Sequence, residues 1–132
     1  MAFADTGVRT VIEGHLPQQV TLAAACKAGD LLCYSSGWKL ALATVGTALA
    51  ARLVAGQKGA IGDEIGAFVI AKVNGFTGAT VPGAVYLAEG TSSGGYIDVA
   101  PSTSGDLAQP VGYMVSATEA MINLAVPMEV TK

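Results

Sequence analysis

Charge is scarce in this chain. Only 13% of its 132 residues are Asp, Glu, Lys or Arg, about half of the roughly 25% usual in a globular domain. The basic residues stand singly, at Arg9, Lys27, Lys39, Arg52, Lys58, Lys72 and Lys132. No basic stripe exists to follow a row of phosphates, so nucleic acid is not expected as a direct partner. Aromatics are equally thin at 6%, with one Trp. Any core must therefore be assembled from many small side chains, chiefly Ala and Val.

The residues of catalysis are few. One histidine, His15, cannot build an imidazole metal cluster. Acting as a base, it would need a nucleophile and an orienting carboxylate. Most of the acids fall next to glycine or in turns, as in Gly29-Asp30, Gly62-Asp63 and Gly105-Asp106. There a carboxylate bonds nearby backbone amides and shapes a turn. Gly56 to Gly62 has the glycines of a phosphate loop without its Gly-Lys-Ser/Thr order. Cys26 and Cys33 match neither a zinc spacing nor a redox Cys-x-x-Cys. They read as two small buried hydrophobes, with a local disulfide as the alternative. No catalytic, cofactor or metal residues are expected, and the chain does not read as an enzyme.

Long hydrophobic runs are missing too. Leu40 to Ala55 is interrupted by Thr44, Gly46, Thr47 and Arg52, too short and too broken to cross a bilayer. Met1 to Asp5 has no basic and apolar leader pattern. The expectation is a soluble product made in a cytoplasm, with no membrane partner.

What the chain has in quantity is punctuation. Seventeen Gly and five Pro separate short β-prone runs, a pattern that suits strands and turns. Strands are expected at Gln19–Ala24, Leu31–Tyr34, Trp38–Leu42, Arg52–Gln57, Ile65–Val73, Ala84–Ala88, Tyr96–Val99, Gln109–Ser116 and Ala120–Val130. Val8–Ile12 could add another. Trp38 to Leu42 shows the period-2 alternation of a half-buried strand. The alanines of Ala43 to Ala51 allow a turn or two of helix, which Val45, Gly46 and Thr47 oppose. The expected fold is all-β, a compact sandwich or barrel of nine to ten short strands with at most one short helix. Residues 1–19 read as an extended N-terminal arm, and residues 20–132 as a single β domain. Within that domain Ala28 to Tyr34 is echoed by Pro82 to Leu87, each followed by a Ser/Gly turn and a further strand. Two similar β-modules are implied.

The second module carries a resemblance. Pro82-Gly83-Ala84-Val85-Tyr86-Leu87, then Ala100-Pro101-Ser102, Gly105-Asp106 and Gln109-Pro110-Val111-Gly112-Tyr113-Met114-Val115-Ser116 resemble a run found in the head decoration (cement) proteins of tailed bacteriophages. Ala28-Gly29-Asp30 and Gly62-Asp63-Glu64-Ile65 are similar to turns of the same group. The resemblance spans about residues 20–126 and leaves the N-terminal arm unmatched. It implies a non-catalytic structural virion protein that binds the outside of the capsid as a homo-oligomer and cements the shell. Its partners would be the major capsid protein and copies of itself, a homotrimer first and a dimer second. It would be assembled in the host cytoplasm and located on the capsid surface. A virion or surface adhesin that binds glycans near Trp38 or Tyr96 is the alternative. For contacts with other subunits or the capsid, Phe3, Val8, Val11, Ile12, Leu16 and Trp38 are the candidates.

Overall fold

The computed structural model describes residues 3–46, 48–79, 81, 83–89 and 93–125. Eleven strands form among them: β1 (Ala4–Asp5), β2 (Val11–Thr21), β3 (Leu31–Tyr34), β4 (Trp38–Leu40), β5 (Leu53–Ala55), β6 (Glu64–Asn74), β7 (Phe76–Thr77), β8 (Ala84–Leu87), β9 (Tyr96–Ile97), β10 (Pro110–Met114) and β11 (Glu119–Asn123). No helix occurs among the described residues. The fold is all-β, in the barrel-like class expected.

The sheet is organised around β6. Nine strands run in the order β4-β3-β5-β6-β11-β10-β8-β9, with β2 also paired to β6. One edge of β6 is divided between β5, at Ala67 and Phe68, and β11, from Ile70 to Asn74. Its other edge is covered by β2 along nearly its whole length. A bridge from Leu22 to Trp38 brings the end of β2 round to β4, curling this half of the sheet towards closure. β1 and β7 form a separate small pair.

The two segments that echo each other hold matching places. β3 and β4 form a hairpin and β5 returns to the other side of β3. β8 and β9 pair in the same way, and β10 returns to the other side of β8. The halves are then stitched together. Gln109, fully buried, accepts from the Ala51 N–H at 2.7 Å and donates to the Ala51 carbonyl at 3.0 Å. Leu107 N–H reaches Ala43 O at 2.9 Å, and Leu31 N–H reaches Gly94 O at 2.8 Å.

Burial follows strand alternation on β6, where Ile65, Ala67, Ala71 and Val73 point inward. β3 and β5 are different, being buried on both faces. One face of that pair sends Leu32, Leu53 and Ala55 into a cluster with Val20, Leu22, Cys26 and Ile65. The other sends Leu31, Cys33 and Val54 into the larger cluster around Phe76, Leu87, Val111, Met114 and Ile122. A strand with two dry faces reads as a continuous apolar run rather than an alternating one, which is the pattern of Leu31-Leu32-Cys33.

The helical turn allowed for between Ala43 and Ala51 does not form among the described residues. Distant partners take this backbone instead. Leu42 and Leu49 bridge each other, Ala43 N–H donates to Ala88 O at 3.2 Å, and Val45 N–H donates to the Asp106 carboxylate at 2.7 Å. β7 lies in a segment read as loop, and the part of the last strand region beyond Ala125 is outside the described residues.

Of residues 1–19, read as an arm, the described ones from Phe3 onward are tied to the body. Phe3 stacks on Phe76 at 5.7 Å. Thr6 donates from its amide and hydroxyl to Gly75 O. Gly75 has φ +109, and a Cβ there would lie 2.5 Å from Val8 O, so only glycine lets this segment cross. The strongest tie is Arg9, whose side chain is 5% exposed. Its Nε and Nη2 donate to both oxygens of Asp5 at 2.9 and 2.7 Å, and its Nη1 donates to Asp30. The guanidinium also lies over the Tyr96 ring, 5.2 Å from its centroid. Burial by itself would lower the Arg9 pKa. Its hydrogen bond and charge pairing with Asp5, and its bond to Asp30, outweigh burial and hold it above its usual value.

Removing one member of a buried ion cluster strands the others, at about 3–5 kcal/mol. Arg9→Met should therefore lower unfolding stability by about that amount in a urea titration at neutral pH. Arg9→Lys, which keeps the charge and loses the fork, should fall between it and the wild type. Wild-type stability in Arg9→Met would show that the cluster is not a major tie.

Candidate interaction surface

The six residues expected at contacts fall into two groups. Phe3 and Val11 are partly buried against the larger core cluster, and Trp38 is packed against the smaller one. Val8, Ile12 and Leu16 stand out from the surface at 81%, 43% and 56% exposure. These three lie on β2 or just before it, and β2 is what brings them together.

β2 is eleven residues long, and residues 15–19 are exposed. Its ladder with β6 runs from Glu13 opposite Lys72 to Thr21 opposite Glu64, with a bulge between Val11 and Glu13. Just past Thr21, Leu22 N–H donates to Asp63 O at 2.9 Å, and Leu22 O accepts from Gly62 at 2.8 Å. By strand alternation Val20 and Gln18 also turn their backbone groups to β6, and Pro17 and Gln19 turn theirs outward, where no strand is paired among the described residues. The alternation reverses at the left-handed Leu16, which the ladder skips: Val69 O accepts from Leu124 and Asn74 N–H donates to Thr10 O, so Glu13 and His15 face β6. Pro17 has no N–H to lose there, which is why a proline is tolerated in this strand. Gly14 has its own reason. The Phe68 ring covers it so closely that a Cβ would lie 2.5 Å from the ring.

An exposed strand edge invites pairing with another chain. This one is bounded by the bulge at one end and by Leu16, in the left-handed region at φ +56, towards the other. Tyr34 is 67% exposed and meets Trp38 edge-on, with centroids 5.5 Å apart. Tyr96, suggested as a sugar platform, is ruled out for that role. It is 3% exposed, and its hydroxyl donates to Gly29 O at 2.6 Å.

Among the described residues the concave features include two open grooves of about 380 Å³ each, one beside Glu89, Ile97 and Pro101, the other beside Lys39, Leu40 and Ser93, and a smaller hollow of about 150 Å³ beside Cys26 and Asp30. His15 borders none of them. Among the described residues no group of three or more His, Cys, Asp or Glu is placed to hold a metal ion. Cys26 and Cys33 are free and buried, with their sulfurs 3.6 Å from the carbonyls of Gln57 and Leu40. Burial is the chief cause that pushes both thiols up, away from the thiolate that nucleophilic chemistry needs.

One pair of acids is unusual, and spacing did not signal it. Asp106 is fully buried; one carboxylate oxygen accepts from Val45, and the other finds a donor only when the neighbouring Glu89 carboxyl is protonated. The exposed Glu89 carboxyl sits against it. Their mutual hydrogen bond is the main cause that raises the Glu89 pKa and lowers that of Asp106. A raised and a lowered carboxyl set against each other titrate as a pair.

The chain matches no family model, no curated protein and no solved structure.

The carboxyl pair makes stability depend on pH. Because the fold raises the Glu89 pKa, its contribution is complete below the ordinary carboxylate value and disappears as pH rises through the raised one. The lowered Asp106 works oppositely, its contribution disappearing as pH falls through the lowered value. Stability from the pair should thus peak under mildly acidic conditions and decline towards pH 7 as Glu89 ionises beside Asp106. Glu89→Gln supplies a permanent donor, so it should raise the Tm at pH 7 and flatten that decline. Identical Tm profiles for the two proteins between about pH 4.5 and pH 7 would show that no proton is shared.

Proposed function

We propose that this chain is a non-catalytic β domain that works through its surface, a structural protein rather than an enzyme. More narrowly, it is a capsid decoration protein that binds the outside of a phage shell through the major capsid protein. It does so as a homo-oligomer, trimer or dimer, and resists the outward pressure of packaged DNA. The observation that carries this reading is β2, a long strand with a free edge and apolar side chains exposed on it. The low charge content supports it, because few charged groups need to lose water when such a surface is covered. The residues that resemble decoration proteins supply β8 and β10, which lie side by side in the sheet. Cementing needs no strong single contact, since many weak contacts made together raise avidity.

A second reading, a glycan-binding virion or surface adhesin, is favoured by the exposed Tyr34 edge-on to Trp38. Two measurements separate the readings. The protein should co-sediment with shells assembled from its cognate major capsid protein and raise their melting temperature, and its native mass should be a multiple of the chain mass. A strict monomer that leaves such shells unbound would overturn the first reading. A glycan-array signal lost in Tyr34→Ala would put the second in its place.

A further inference from the structure

We propose that Glu89 and Asp106 form a cation site, in which a hard divalent ion, calcium before magnesium, bridges the two carboxylates. The inference goes beyond the reading above and does not depend on it.

The backbone sets the two acids side by side. Residues 43–45 run between the segments that carry them. Ala43 N–H donates to Ala88 O at 3.2 Å, and Ala43 O accepts from Leu107 N–H at 2.9 Å. Val45 N–H then donates to Oδ1 of Asp106 at 2.7 Å. Asp106 is held on its other side by a tight turn, its own N–H donating to Thr103 O at 2.9 Å. Gly105 within that turn has φ +94, and a Cβ there would lie 2.3 Å from the Val45 side chain. Only glycine lets the turn close on Val45, so the position of the Asp106 carboxylate is fixed before any ligand arrives.

One atom of this arrangement has a need that the protein does not meet. Oδ2 of Asp106 is buried and has no hydrogen-bond partner, on a side chain that is itself 0% exposed. A buried polar atom left in that state costs free energy and calls for a partner. The group set against it is a second acid, Glu89. A proton on Glu89 supplies the partner in acid. Once that proton leaves, two carboxylates face each other as like charges. A divalent cation then meets both needs, since it takes an oxygen from each acid and balances both charges.

The surroundings suit a hard ion. The groups that act on the two carboxyls are each other, the Val45 and Thr103 amides and the Thr103 hydroxyl, with no lysine or arginine among them. Oxygen donors without sulfur or imidazole select ions of the calcium and magnesium type. Calcium accepts about six to eight oxygens in irregular geometry and completes its shell with water, whereas magnesium demands a near-ideal octahedron. The way in is open. Glu89 is exposed and borders the groove of about 380 Å³ that Ser102 also lines, so an ion reaches the pair with its water ligands in place. Two carboxylates make a weak site, of the order of 0.1–1 mM, the range of calcium sites in extracellular modules.

The test is thermal unfolding at neutral pH with calcium chloride raised to about 10 mM at constant ionic strength, alongside a calorimetric titration with calcium. The wild-type Tm should rise, with one calcium taken up per chain, and magnesium should raise it less. Glu89→Gln keeps the shape of the side chain and donates to Asp106 by itself, so it should fold, lose the calcium-dependent rise and bind calcium about tenfold or more weakly. Glu64→Gln removes an exposed acid opposite Thr21 on the β2–β6 ladder and should keep both the rise and the binding. A wild-type Tm that calcium does not move, a rise that survives in Glu89→Gln, or a rise lost equally in Glu64→Gln would each overturn the inference.

Discussion

The buried guanidinium of Arg9 is the contact on which the assembly of this fold depends. It joins Asp5 on β1, Asp30 at the entrance to β3, and the ring of Tyr96 on β9. Those three lie far apart in the chain. Each acid does further work. Asp5 accepts from the Gly7 and Tyr96 amides, and Asp30 accepts from the Lys27 amide. Fixing Arg9 therefore fixes two turns and the start of a strand. In a chain with so few charges, three of them are committed to this one cluster. That is affordable only because every carboxylate near Arg9 finds several donors.

The rest of the architecture follows from a shortage of large side chains. One core layer of Ala and Val is thin, so β3 and β5 are buried on both faces and two apolar clusters share them. Small residues such as Ala67 and Ala71 on β6 let strands and layers approach closely, and the few large rings are concentrated. Phe76 takes Phe3 on one side and meets Tyr96 edge-on at 5.1 Å. The N-terminal segment is thereby part of the core at its start. Only after the crossing at Gly75 does it emerge as the exposed strand β2.

That emergence gives the surface its character. The chain leaves one long strand with a solvent-facing edge, and modifies it with a bulge, a left-handed residue and a proline. These devices limit open-ended pairing at that edge.

Much of the fold was legible in the residues, because strand alternation and turn chemistry are short-range. The strand from Ile65 to Val73, the hairpin turn at Ser35 to Gly37 and the breaks at glycine-acid pairs needed no tertiary information. The likeness between Ala28–Tyr34 and Pro82–Leu87 pointed to β3 and β8, which hold matching places in the sheet. Other features were not legible. The short stretch after Leu42 could not be assigned locally, since its backbone is claimed by Ala88, Asp106 and Gln109, all far away in the chain. Reading Arg9 as a singly placed basic residue and Asp30 as a turn former missed their cluster with Asp5, for which only the four-residue spacing of Asp5 and Arg9 gave a hint. The pairing of Glu89 with Asp106 had no sequence signal at all. The sequence by itself thus determined an all-β chain of short strands with sparse chemistry. Which edge stays open, and which charges go inside, were decided by the tertiary structure, because both depend on what distant segments cover.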